Sequence, residues 1–144
     1  MSPAYLHLSP DSRPPGRGTR PYRAVIISEL ETTQQWRNEV ADWLVNSGCL
    51  YVVAWGVQCE AWHDTVDWTI LEKFEFDDIP DEHFIMTTWH DKEPLSEAFW
   101  FAGQCASHPT VALQETLLID IARAPRESEL LENFAASQVM TEDQ

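Results

Sequence analysis

Between residues 22 and 137 two kinds of apolar pattern alternate. Residues 22–28, 50–55, 84–89 and 116–121 are short, continuous apolar runs. Runs of this length, rich in β-branched and aromatic residues, predict strands covered on both faces. After each run the period lengthens to that of a helix. Trp36, Val40, Trp43 and Leu44 fall on one helical face. Thr32 precedes them with Gln35 three residues on, the pattern of a capping box, and Ser47-Gly48 closes the stretch with glycine in the left-handed cap position. Trp62, Val66, Ile70 and Phe74 recur every fourth residue. Leu95, Ala98, Phe99, Ala102 and Ala106 form a third stripe behind Pro94, and Leu130, Leu131 and Phe134 a fourth behind Pro125.

The order β-α-β-α-β-α-β-α predicts an α/β protein. The expected architecture is a small doubly wound (Rossmann-like or flavodoxin-like) three-layer sandwich on a four-stranded, mostly parallel sheet, with strand order 2-1-3-4. Residues 22–137 are expected to form one acidic domain. Residues 1–21 hold five of the nine prolines and two of the five glycines, with no hydrophobic period. Such a segment buries too little apolar surface to offset its ordering entropy, so a disordered basic Pro/Gly/Arg-rich extension is expected. Residues 138–144 are expected to fray.

Composition adds constraints. Hydrophobic residues make up 44% of the chain, with seven tryptophans and six phenylalanines, enough for a core without disulfides or metal. The three cysteines, Cys49, Cys59 and Cys105, form no CxxC pair and read as small packed hydrophobes in a reducing compartment. No signal peptide or membrane-spanning run stands out, and a cytoplasmic location is expected.

The net charge is −15, unevenly spread. Residues 1–23 carry Arg13, Arg17, Arg20 and Arg23 against Asp11. Residues 24–122 carry Arg37, Lys73 and Lys92 against eighteen acids. That excess repels nucleic-acid backbone and anionic lipid and attracts a basic protein or divalent cations. Neither direct nucleic-acid binding nor membrane binding is expected.

In open parallel sheets ligands bind beyond the carboxyl ends of the strands. The residues there include Ser28, Glu29 and Glu31, then Trp55, Gly56, Cys59 and Glu60, then Thr88, Trp89, His90 and Asp91. His90, Asp91 and Glu29 are the candidates for catalysis, and Trp55, Gly56, Cys59 and Trp89 for ligand binding. A thiolate at Cys59 would gain from the start of the next helix. Trp-His-Asp occurs twice, at 62–64 and 89–91. His63, Asp64, His90 and Asp91 would serve a metal site if the second helix began near the end of the third strand. No HExxH, HxH or HxxxH spacing supports that site, and a packed Cys59 and a solvated His63 are the plainer readings.

Other absences narrow the field. No GxGxxG, GxxxxGK(S/T) or GxSxG occurs. Ser28-Glu29-Leu30-Glu31 stands where a dinucleotide loop would lie, and its carboxylates would repel a pyrophosphate. No cofactor is expected. Trp100 and Phe101 make the third helix apolar most of the way round, which calls for deep burial or a covering partner.

The stretch 48–56 (Gly-Cys-Leu-Tyr-Val-Val-Ala-Trp-Gly), with 62–68 (Trp-His-Asp-Thr-Val-Asp-Trp) and Thr87-Thr88-Trp89-His90, resembles a family of small uncharacterised bacterial proteins of unknown function. The likeness covers about residues 22–122 and implies a bacterial source, with no activity or site residues attached. The leading expectation is a non-enzymatic interaction or regulatory domain of the antitoxin, immunity or adaptor kind, with a basic protein partner. The alternatives are a small-ligand or metal-dependent enzyme at the carboxyl edge of the sheet, and a nucleic-acid mimic.

Overall fold

Residues 3–139 are described by a computed structural model. The elements are β1 (Ala4–Leu8), β2 (Tyr22–Ser28), α1 (Gln34–Asn46), β3 (Cys49–Gly56), α2 (Cys59–Lys73), β4 (Met86–His90), α3 (Leu95–Gln104), β5 (Thr116–Ile121) and α4 (Glu127–Val139). One 3-10 turn, Asp81–His83, precedes β4. The continuous apolar runs are strands because both of their faces are covered. Ala24 and Ile26 of β2 join one core with Trp36 and Trp62 of α1 and α2. Val25 and Ile27 join another with Phe99 and Phe134 of α3 and α4. Alternate residues of one strand thus serve two cores, and no polar face is left to alternate.

The sheet is open and entirely parallel, with five strands in the order β1-β5-β2-β3-β4. The expectation of four strands ordered 2-1-3-4 is corrected on both counts. The last strand, β5, lies beside β2 and not at the far side of β4. α3 carries the chain back from β4 across the face opposite α1 and α2, where α4 joins it.

The fifth strand comes from the segment expected to be disordered. Ala4–Leu8 pairs in register with Leu117–Ile121 of β5. Pro3 and Pro10 confine the strand to a stretch too short to show a period. Residues 9–21 then run back along α1. Their prolines lack N–H groups, but the carbonyls of an extended chain remain free to accept. Trp36 Nε1 donates to the Ser12 carbonyl and Trp43 Nε1 to the Pro15 carbonyl, both at 2.7 Å. The Arg17 guanidinium lies 4.1 Å from the Tyr22 ring centroid, and Arg20 pairs with Glu115 at 3.1 Å.

Smaller differences follow the same logic. The N-cap of α1 is Thr33, whose hydroxyl accepts from the Trp36 N–H, and not Thr32. Cys49 and Cys59 are buried, but Cys105 at the end of α3 is exposed. α4 extends through Val139, past the point where fraying is expected, and residues 140–144 lie outside the described residues. Among the described residues no helix is long and apolar enough to cross a membrane.

Leu8 is 2% exposed and part of the α1–α2 core. Leu8→Ala is expected to cost about 2–3 kcal/mol in urea unfolding. A loss within the error of the measurement would mean that β1 is not docked in solution.

Candidate functional site

At the carboxyl edge, β2 and β5 are neighbours whose following helices leave for opposite faces of the sheet. A cleft of about 590 Å³ opens there, lined by Pro10, Glu29, Leu30, Glu31, Val57 and Arg123. This is the position at which open α/β sheets hold ligands. Glu29 stands in it as the sequence suggests, but its carboxylate is also held by Arg126 Nη1 at 2.8 Å.

Arg126 also links Glu29 to Asp120, which has no solvent exposure. Its carboxylate accepts from Tyr5 Oη at 2.6 Å and from Arg126 Nη2 at 2.6 Å, and the Arg126 backbone N–H donates to Tyr5 Oη at 2.8 Å. Burial and the hydrogen bond to Asp120 push the Tyr5 phenol up to about 12. The two oxygens of Asp120 hold Arg126's cation above its ordinary range. None of the three was expected as a site residue. A signal existed: Asp120 is a carboxylate inside the apolar run Leu117-Leu118-Ile119-Asp120-Ile121.

The loops of β2 and β3 are tied by Arg37, which is buried. Its Nη1 donates to the Thr32 carbonyl at 2.6 Å and to Gln58 Oε1 at 3.1 Å. Gln58 Oε1 also accepts from the Thr32 N–H at 2.8 Å. Burial without a carboxylate partner lowers the guanidinium's affinity for its proton.

The remaining candidates do not converge. His90 is 7% exposed, within 3.0 Å of Thr88 Oγ1 and 3.2 Å of Glu93 Oε1, and it packs on Phe101 of α3. His63 of α2 stacks on Trp89, with ring centroids 4.5 Å apart. Trp89 and His90 are consecutive in a strand and point to opposite faces. The two histidines of the Trp-His-Asp repeats therefore lie on opposite sides of the sheet, and the convergence of His63, Asp64, His90 and Asp91 does not occur. Among the described residues no group of three or more His, Cys, Asp or Glu is placed to hold a metal ion.

Trp55 and Trp89 likewise do not wall one pocket. Trp55 packs on the α3–α4 side and donates through Nε1 to the Glu93 carbonyl at 2.8 Å. Gly56 has φ +97°, and a Cβ there would collide with the Ser28 carbonyl oxygen. It lets the ends of β2 and β3 touch, and the Val57 N–H donates to that same oxygen at 2.8 Å. The Cys59 thiol is pushed up by burial and then by the charge of Asp91, which opposes the thiolate expected at a helix start.

A different face of the molecule stands out by exposure. Trp68 is 56% and Trp89 43% exposed, and Phe76 and Phe84 are exposed with them. Trp68 and Phe76 meet edge to face at 5.1 Å. Asp67 accepts from Thr87 Oγ1 at 2.7 Å, which fastens α2 to β4 beside Trp89. Residues 59–97 carry twelve carboxylates against Lys73 and Lys92. Among the described residues no lysine or arginine forms an ion pair with any of those twelve; the pairs made there are histidine contacts, His63 with Asp64 and Asp67 and His90 with Glu93. Monomer surfaces rarely keep several large aromatics in water without a use for them.

The chain is an all-parallel α/β domain with exposed aromatic residues on and beside α2 and the edge strand β4. The chain belongs to a family described as a domain of unknown function (DUF7684), whose model matches residues 3–137. The match extends well beyond the 22–122 stretch of the sequence resemblance and includes β1. No curated protein and no solved structure matches the chain.

The raised phenol of Tyr5 links stability to pH. Its neutral form is favoured in the native state, so its contribution is complete below about pH 10, where the phenol of the unfolded chain begins to ionise. That contribution is lost as pH rises through about 12. Tyr5→Phe is expected to lose about 1.5–3 kcal/mol at neutral pH, the worth of a hydrogen bond to a charged group. The gap between wild type and variant should then narrow across that alkaline window in urea unfolding. A constant gap would exclude the buried Tyr5–Asp120 bond.

Proposed function

We propose that this chain is a non-enzymatic protein-interaction or regulatory domain that receives a cationic partner on the face built by α2 and β4. The observation that carries the reading is the coincidence of exposed Trp68 and Trp89 with carboxylates that no lysine or arginine pairs. Aromatic anchors supply contact area, and surrounding charge steers encounter and selects the sign of the partner. We read the scaffold beneath it as a doubly wound, Rossmann-like sandwich of three layers, a reading supported by the two cores on the two faces of the sheet.

The direct test is a titration with a flexible lysine-glycine-serine peptide, followed by NMR of the tryptophan indole N–H signals. Trp68 and Trp89 are expected to shift while the buried Trp62 stays fixed. Affinity should fall roughly tenfold or more as salt rises from about 50 to about 300 mM. Asp64→Asn/Asp67→Asn should weaken it at low salt. Shifts spread evenly over the molecule, or no dependence on salt, would discard the reading.

A second reading, a small-ligand site, is favoured by the position of the Glu29–Glu31 cleft at the junction of β2 and β5. It predicts that millimolar magnesium or manganese raises the melting temperature of the wild type and leaves Glu31→Gln unmoved. Equal responses of the two proteins would remove it.

A further inference from the structure

Two strands end the sheet, and they differ in how their outer edges are kept from pairing. Edge strands present unpaired N–H and C=O groups and are ordinarily blunted by lysine, proline, a bulge or a cover. β1 lies between Pro3 and Pro10. β4 is Met86-Thr87-Thr88-Trp89-His90, with no proline and no lysine or arginine. Its register with β3 runs without a shift from Tyr51↔Met86 to Trp55↔His90, so no bulge turns it aside. Threonine and tryptophan are good strand formers, and among the described residues β3 is the strand's one neighbour in the sheet. By its main chain, β4 is ready to take another strand.

The side chains beside it specify which one. Thr87 and Trp89 face α2, where Asp67 bonds Thr87 and His63 stacks on Trp89. His90 faces α3, and Glu93 holds it there. A strand added to β4 would place alternate side chains beside Trp89, Asp64 and Asp67 on one face and beside Glu93 on the other. Those carboxylates have no lysine or arginine among the described residues. A second copy of this chain would bring the same acids against them, and like charges set opposite one another across a strand pair are destabilising. A basic segment meets the opposite condition.

We propose that β4 is an acceptor edge. An extended segment of a partner protein, with lysine or arginine at alternate positions, adds to it as a sixth strand. The main chain of Met86–His90 supplies the pairing, the Asp64 and Asp67 carboxylates select the cations, and Trp89 packs against the stem of an inserted side chain. This rests on the reading of the α2–β4 face as a docking surface and adds the conformation of what docks.

The test separates the two claims. The full chain is titrated with a peptide of nine alternating lysines and valines, and with the same peptide methylated at every backbone nitrogen. Both carry the same charge and side chains, but the methylated form has no N–H to donate. The unmodified peptide is expected to bind at least about tenfold more tightly, because the ladder is lost in the other. Amide hydrogen exchange in residues 86–90 should slow by about tenfold or more with the unmodified peptide alone. Equal binding of both peptides, weakened for both by Asp64→Asn/Asp67→Asn, would keep the acidic docking face and overturn strand addition. Binding by neither would overturn both. A sedimentation measurement showing a dimer whose residues 86–90 are already protected would assign the edge to a second copy and overturn the proposal.

Discussion

Asp120 is the last residue but one of β5, with its carboxylate wholly withdrawn from water, and an unpaired charge in that position would cost several kcal/mol. The donors that answer it come from opposite ends of the chain. Tyr5 belongs to β1, and Arg126 stands immediately before α4. One buried charge therefore decides which strand covers the edge of β5 and where the helix that covers its face begins. Arg126 reaches on to Glu29 beyond β2 and so fixes one wall of the cleft at the carboxyl edge. The order of the sheet on this side follows from satisfying a single carboxylate.

Much of the chain's positive charge is engaged on that half of the molecule. Arg17 and Arg20 lie against Glu115, Arg126 against Asp120 and Glu29, and Arg23 donates to the Ala106 and Leu113 carbonyls. Arg37 is taken up by the loops of β2 and β3. Around α2 and β4 the lysines are two and the carboxylates twelve. Much of the chain's net charge of −15 is thus concentrated in the stretch that builds α2 and β4. Fields of that kind act on association rates and partner choice more than on the fold itself.

The strands and helices from residue 22 onward are legible because their apolar periods are long and their strands are covered on both faces. β1 is not, since five residues between two prolines carry no period, and its place is set by the needs of β5 and Asp120 rather than by its own composition. The strand order is equally illegible, because nothing local to residues 116–121 says whether they lie beside β2 or beyond β4. Among site residues, position at a strand end is readable from sequence while direction is not. His90 and Trp89 are adjacent in the chain, yet one turns to Phe101 and the other to His63. Trp68 is the opposite case: it falls outside the α2 stripe of Trp62, Val66 and Ile70, and that omission is itself the signal that it faces solvent.

The carboxyl edge and the α2–β4 face differ in what their polar groups are free to do. At the edge, Glu29 is bound to Arg126, His90 lies between Thr88 and Glu93, Trp55 donates to the Glu93 carbonyl, and Gly56 is occupied by the approach of Ser28. Each of these contacts fixes a loop, and a ligand competing for the same groups would have to break it. On the α2–β4 face the carboxylates, indole rings and strand edge have fewer internal obligations, and burying them against a partner would forfeit few existing bonds. Exposed aromatic surface gains most from such burial, since it begins in water. The same accounting explains why a cationic partner suits the face: a lysine or arginine stem covers an indole while its charged end meets a carboxylate, and both contacts replace solvent rather than protein.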